Sequence, residues 1–268
     1  MSANCDPPGS AATADEGRPP GPGLAPPRAL LVDLDDTLLD GAHTALAVDG
    51  TCAALASSLT GPRPQQRLRE AYAEVWAAHR PEVELPCWLG RMDGVAAIRE
   101  TWRRVLSHVG VVEERATEFA VRRYQSISRS AYRPFPDVAD LLATTTRLRV
   151  PVVLVTNGPS DVQRDKLGTL GFGSAFDAVA ISGEIGSAKP DPALFAAALD
   201  LVGADPRDAW HVGDGLTNDV GGARAAGVVA VWLNRTGRPS PTDHRRPDVE
   251  VTSLAQLSAL LLGKAAVS

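Results

Sequence analysis

The chain has 268 residues, 44% apolar and 22% charged, the proportions of a globular protein able to bury a core. Its 27 basic residues are outnumbered by 32 acidic ones, a formal net charge of −5, which argues against a protein built to grip a nucleic-acid polymer. No apolar run is as long as a membrane span, no basic-then-apolar leader opens the chain, and Cys5, Cys52 and Cys87 are too scattered for a disulfide framework or zinc knuckle; a soluble cytoplasmic protein is expected.

Residues 1–27 are rich in Pro, Gly and Ala and poor in large apolar side chains, so they are expected to form a disordered tail. The run from Arg28 to Val32 then reads as a strand buried on both faces of a parallel sheet. From about 42 to 132 no strand is evident. Helical stripes take over: Leu46 to Leu59; Leu68, Tyr72, Val75 and His79; Val95, Ile98, Trp102 and Val105; Phe119, Ala120, Tyr124 and Ile127. Pro62, Pro64, Pro81, Pro86, Gly90 and Gly110 punctuate them. Strands resume at Pro151–Val155, more weakly at Ala178–Ile181, then at Ala209–Val212 and Val228–Leu233. Helices alternate with them: one after Pro136-Asp137, one capped by Ser160 and Asp161, one begun by Asp191-Pro192, a short one through Val220, Ala223 and Ala226, and one capped by Ser253. The expected fold is therefore α/β, a doubly wound parallel-sheet core over 28–41 and 133–263. An all-helical insert would occupy 42–132, with 264–268 a C-terminal tail.

The chemistry is carried by residues just past the strand ends, where open parallel sheets bind ligands. The first strand ends in Asp33-Leu34-Asp35-Asp36-Thr37, and alternation puts the carboxylates of Asp33 and Asp35 on one side of an extended turn. Two carboxylates so close repel, and a hard oxygen-loving cation such as Mg²⁺ would relieve them. The second long strand ends in Thr156-Asn157-Gly158, whose hydroxyl and backbone N–H groups can hold an anionic oxygen. Lys189 precedes a helix start, and a later strand delivers Gly213-Asp214 through Asp219. Each has a bland explanation in a solvated loop, a turn or a helix cap. Four at four element ends together supply a nucleophile, a metal cage, an anion-binding hydroxyl and a cation.

These motifs, in this order, resemble the haloacid-dehalogenase superfamily of hydrolases over residues 28–262, with the insert in the position of a C1-type helical cap. The resemblance implies a Rossmann-like core and roles for individual residues. Asp33 would be the nucleophile and Asp35 the general acid and base. Thr156, Asn157 and Lys189 would bind phosphoryl oxygens. Asp33, Asp35 through its carbonyl, Asp214 and Asp219 would serve Mg²⁺. Asp35 also separates phosphate chemistry from dehalogenation, since the family's dehalogenases lack an acid there. Thr156-Asn157-Gly158 with Gln163, Lys166 and Leu167, then Phe176-Asp177, Gly183-Glu184 and Val231-Trp232-Leu233-Asn234, resembles the subgroup of nucleotide 5′-monophosphatases and N-acylneuraminate-9-phosphatases.

The implied activity is a Mg²⁺-dependent phosphomonoesterase acting on a small phosphorylated metabolite, a nucleoside monophosphate or sugar phosphate, through an aspartyl-phosphate. A phosphomutase and a non-catalytic phosphate-binding protein are the alternatives. In the insert Trp88, His79, Arg91, Arg99 and Arg103 are candidates for substrate contacts, but aromatic residues at helical spacing are expected in the core and basic ones in solvent. His211, within a strand, is expected to be packed core. Partners beyond a small phosphate ester, and the oligomeric state, are not read.

Overall fold

The apolar runs become strands because residues i and i+2 can then be buried on one face and i+1 on the other. The computed structural model describes residues 25–243 and 245–263; the tail expected over 1–27, save its last three residues, and that over 264–268 lie outside the described residues. The strands are β1 (Ala29–Val32), β2 (Val152–Thr156), β3 (Ala178–Ile181), β4 (Ala209–Gly213), β5 (Val229–Leu233) and β6 (Val249–Val251). They form one six-stranded sheet, all parallel, in the order β3-β2-β1-β4-β5-β6. Leu31 of the central strand pairs with Val153 on one side and His211 on the other.

Flanking the insert are helices of the α/β part, and the insert itself holds four. In chain order they are α1 (Ala42–Ala56), α2 (Pro64–Trp88), α3 (Gly94–His108), α4 (Glu114–Ala131), α5 (Val138–Leu148), α6 (Ser160–Thr169), α7 (Ser182–Ile185), α8 (Pro192–Asp200), α9 (Gly222–Ala225) and α10 (Leu254–Leu261). One sheet face, with Leu30, Val32, Leu154 and Val212, is covered by Val138 and Leu141 of α5 and by Leu254, Leu257 and Leu261 of α10. The opposite face, with Leu31, Val153, Val155 and Ala230, is covered by Leu194, Phe195 and Leu199 of α8. Phe195 and Trp232 are fully buried, each such side chain contributing on the order of 2 kcal/mol of transfer free energy.

The insert has its own core. Trp102 is buried among Cys52, Leu55, Leu68 and Val105, with its ring 5.3 Å from that of Tyr72 and 6.3 Å from that of Tyr124. These aromatics are core residues, as their spacing suggested, whereas Leu46 and Phe119 point to solvent at 54% and 42% exposure. Pro81 and Pro86 do not break the chain into separate helices: α2 runs through both. The carbonyls they leave without an N–H donor belong to Ala77 and Glu82, both on the exposed side of the helix, where water can take the bond.

Two chain crossings join the insert to the sheet, and they pair. Asp40 N donates to Arg133 O at 3.0 Å and Phe135 N to Leu38 O at 2.9 Å. The caps of α8 and α10 are as expected, Asp191 accepting from Ala193 N and Ser253 from Gln256 N. The expected cap of α6 is not. Its N-cap position is Pro159, and Asp161 turns outward to accept from Gly94 N and Val95 N, each at 2.9 Å, capping α3 of the insert instead. Gly94 is required there, because a Cβ would collide with Val162 and Pro159. Strand β6 was absent from the sequence expectations. It is an edge strand of three residues with a charged centre, Val249-Glu250-Val251, too short and too polar to stand out.

Candidate active site

β1 stays in the sheet one residue beyond its last paired position, Asp33 N donating to Val212 O at 3.0 Å. The chain then folds into a tight turn in which Thr37, Leu38 and Leu39 all donate backbone N–H bonds to Leu34 O. Asp33 is thereby left at the carboxyl end of the sheet's middle strand, between the ends of β2 and β4, where connections leave in opposite directions and open a crevice.

Lys189 reaches that point from the loop ahead of α8. Its ammonium is buried and donates to Asp33 Oδ1 at 2.5 Å, Asp219 Oδ1 at 2.6 Å and Val155 O at 3.0 Å. The loop is clamped by Asn157: the Asn157 side chain accepts from Lys189 N at 2.8 Å and donates to Lys189 O at 2.9 Å. Asp219 sits on a π-helical turn, Leu216–Gly221, and receives two further bonds, from His211 Nε2 and from Gly215 N, both 2.9 Å. The turn can approach β4 this closely because residue 213 is glycine; a Cβ there would overlap the Asp219 carboxylate.

The electrostatics are unequal. Burial would raise the pKa of Asp219, but Lys189 and His211 more than reverse this and hold it well below the carboxylate range. Burial pushes Asp33 well above that range despite Lys189, and the charges of Asp219 and Asp214 add to the rise. Asp214 is pushed up to about 7, by burial first and then by Asp219 and Asp36. Burial would lower Lys189, yet Asp219 and Asp33 lift it above its ordinary value. Burial keeps His211 below its ordinary value, so the neutral ring donates to Asp219.

Asp33, Asp214 and Asp219 can each offer an oxygen with the three atoms within 4.8 Å of one another. All-oxygen donors suit a hard divalent cation. Asp219 is largely satisfied by its three donors, whereas Asp33 has only the Lys189 ammonium on one oxygen and Asp214 has no cation paired with it, so these two fit a cation best. The carboxylate of Asp35 is not in this group. It turns to α6, where Lys166 Nζ donates to both its oxygens at 2.7 and 2.8 Å and Gln163 Nε2 donates at 3.1 Å. Burial alone would raise Asp35; Lys166 more than offsets it and keeps the group below its ordinary pKa. Thr156 Oγ1 is buried and accepts from Gln163 Nε2 at 2.6 Å.

Asp33, Lys189, Asp214 and Asp219 are thus brought together, Thr156 and Asn157 stand beside them, and Asp35 is held one layer away by α6. Gln163, Lys166 and His211 were given no role from sequence. Gln163 and Lys166 lie three apart on α6 just beyond Thr156-Asn157-Gly158, a spacing that places both on one helix face. His211 is core, but core bonded to the site.

A model of the haloacid dehalogenase-like hydrolases matches residues 27–227. The chain belongs to this family. Phosphoserine phosphatase of Thermus thermophilus is 36% identical over 248 residues, 85% of this chain and 96% of that one. Mouse N-acylneuraminate-9-phosphatase is 41% identical over 125 residues, 46% of this chain and 50% of its own length. Among solved structures, a 2-haloacid dehalogenase of Pseudomonas syringae pv. tomato is 29% identical, with a TM-score of 0.62 over 88% of this chain and 97% of that one. The chain is accordingly an enzyme of this hydrolase family, with phosphatases among its relatives. No helix among its described residues is long and apolar enough to cross a membrane.

Proposed function

We propose that the chain hydrolyses small phosphomonoesters through an aspartyl-phosphate formed on Asp33. The observation that carries this is the buried contact of Asp33 with Lys189, 2.5 Å, inside a cluster of carboxylates at the switch point of the sheet. Asp33 and Asp214 would hold Mg²⁺, with Asp219 supporting them and Asp35 offering its main-chain carbonyl. When bound, the cation cancels the repulsion between a carboxylate nucleophile and a phosphate dianion and supplies Lewis-acid stabilisation.

The protein groups divide the remaining work. Lys189 orients Asp33 and neutralises one of its oxygens, leaving Oδ2 to attack phosphorus as the bond to the leaving oxygen breaks. Thr156 and the backbone of the Asn157 turn hold phosphoryl oxygens. The Asp35 carboxyl gives its proton to the leaving oxygen. In the second half, Asp35 accepts a proton from the water that attacks phosphorus, and the bond to Asp33 breaks to release phosphate. Lys166 favours the ionised Asp35, the form needed for the water step.

Within this reading, 42–132 is a cap over a core formed by 28–41 and 133–263, and the paired crossings near Asp40-Gly41 and Arg133-Pro134 are its hinges. Relatives named phosphoserine phosphatase and N-acylneuraminate-9-phosphatase support phosphate ester chemistry. The test is Mg²⁺-dependent release of phosphate from p-nitrophenyl phosphate. Asp33→Asn is expected to lower turnover by roughly three orders of magnitude or more, and a variant as fast as wild type would refute the mechanism.

A further inference from the structure

Gln163 is buried, 1% exposed, on the first turn of α6. Its amide nitrogen lies against three oxygens, Thr156 Oγ1 at 2.6 Å, Asp35 Oδ2 at 3.1 Å and Asn157 O at 3.1 Å. The backbone makes room for this approach. Gly158 has a φ of +151°, and a Cβ there would come within 2.9 Å of the Gln163 side chain.

The surroundings decide which end of the amide faces them. Asn157 O is a carbonyl and can only accept. Lys166 donates to both oxygens of Asp35, so Asp35 Oδ2 acts as an acceptor as well. A Gln163 side chain turned the other way would press its own carbonyl against both, so the NH2 end lies here. A threonine hydroxyl can give or take a hydrogen bond, and toward this NH2 group Thr156 can only take one. Its own hydrogen is then barely used, since the bond that Thr156 Oγ1 donates to Asn157 O is 3.5 Å long.

We infer that Gln163 is a positioning residue that makes the Thr156 hydroxyl a donor, its hydrogen kept for a phosphoryl oxygen. The inference rests on the phosphatase reading, in which Thr156 holds such an oxygen, and adds what sets the hydroxyl's polarity. A phosphoryl oxygen without a hydrogen can only accept, so a hydroxyl that already receives from Gln163 is turned the right way before the ligand arrives. A hydroxyl free to rotate would have to be ordered at binding. The same amide also holds Asp35 beside Thr156, so the inference needs a test that separates these two partners.

Inorganic phosphate, as an inhibitor of p-nitrophenyl phosphate hydrolysis at saturating Mg²⁺, reads the binding role directly. Gln163→Met keeps the length of the side chain and removes the donor. It is expected to weaken inhibition by phosphate, and to lower kcat/KM, by roughly ten- to a hundredfold, the scale of one hydrogen bond to a charged group. In Thr156→Val there is no hydroxyl to orient, so adding Gln163→Met should change either value by less than about threefold. Equal losses in the two backgrounds would show that Gln163 acts through Asp35 or through the fold, and would overturn the inference. So would undiminished inhibition in Gln163→Met. Gln163→Glu matches the native shape and serves if the Met variant does not fold. Its carboxylate takes the Thr156 hydrogen, so inhibition by phosphate is expected to weaken by about tenfold or more, and an unchanged value would again overturn the inference. If wild type with Mg²⁺ releases no phosphate from p-nitrophenyl phosphate, the phosphatase reading falls and the inference with it, a result distinct from all of these.

Discussion

Lys166 grips Asp35 by both carboxylate oxygens, at 2.7 and 2.8 Å, from the second turn of α6. The ammonium stabilises the ionised form, against the rise that burial alone would cause. An acid must be protonated to assist the leaving group, so activity that depends on it declines as pH rises through its pKa. Lys166→Met removes the cation and raises that pKa. The basic limb of the kcat profile is therefore expected to move to higher pH, measured with p-nitrophenyl phosphate; a limb that stays put or moves to lower pH would remove Asp35 from the acid role.

Asn157 governs Lys189 without touching its ammonium. Its amide makes both hydrogen bonds to the Lys189 main chain, so Asn157→Ala frees the loop and lets the ammonium drift from Asp33. Small displacements of positioned groups cost up to about a hundredfold in rate. A fall in kcat of roughly ten- to a hundredfold with KM little changed is expected from steady-state kinetics.

Asp161 ties the insert to the sheet. Its carboxylate accepts from Gly94 N and Val95 N across the junction, and Arg129 adds an ion pair to Asp165 at 2.9 Å. Losing a helix cap costs about 0.5–2 kcal/mol. In Asp161→Ala the amides of Gly94 and Val95 should exchange with deuterium several-fold faster while those of β1 and β4 are unchanged. Equal protection in the variant would show that the cap contributes nothing to closure.

In the proposed mechanism Asp214 would couple Mg²⁺ binding to pH. Without a cation its pKa is pushed up to about 7 by burial, Asp219 and Asp36. A proton therefore competes with Mg²⁺ at this oxygen below that pH and leaves it free above. The half-saturating Mg²⁺ concentration is expected to rise by up to about tenfold per unit as pH falls below 7. Asp214→Asn should flatten that dependence and weaken binding, and chelation by EDTA should abolish turnover.

Asp137 joins distant parts of the core. It takes both terminal nitrogens of Arg235 at 2.9 Å and Leu254 N at 2.9 Å, while Arg235 also donates to Thr37 O at 3.1 Å. Burial would raise the Asp137 pKa, but these donors leave it below its ordinary value. A folded-state pKa below the unfolded one stabilises fully above the unfolded value, and that contribution is lost as pH falls through the folded one. Asp137→Asn is expected to cost about 1–3 kcal/mol at neutral pH, toward the low end because the group is partly solvated. The difference in Tm from wild type should shrink as pH is taken from 6 to 3.

Much of the core was legible because its signals are local. A run such as Val152 to Thr156 is buried residue by residue, and only a strand inside a sheet covered on both faces accommodates it. Asp33, Lys189, Asp214 and Asp219 were legible as candidates because each lies next to an element end, and the fold brings them into one cluster. Asp161 was misassigned for a physical reason: Ser160 and Asp161 have the chemistry of a cap, but nothing in the sequence says which helix N-terminus will lie within reach. β6 escaped notice because an edge strand tolerates a polar residue such as Glu250. Pro81 and Pro86 misled because the cost of a proline depends on whether water can reach the carbonyl it strands.

The sequence alone determined the order of the five longer strands and of most helices, the helical interruption after β1, and the residue types available for chemistry, since apolar period and turn residues act over a few positions. The tertiary structure decided how those residues are used. Lys166 meets Asp35 across 131 positions of chain, and Lys189 meets Asp33 across 156. His211 became a support for Asp219 because β4 carries it beneath the π-helical turn. Leu85 and Trp88 became walls of a cleft because the insert lays the end of α2 over the Lys189 loop. Such pairings depend on which faces can be buried together, and that is a property of the whole packed chain.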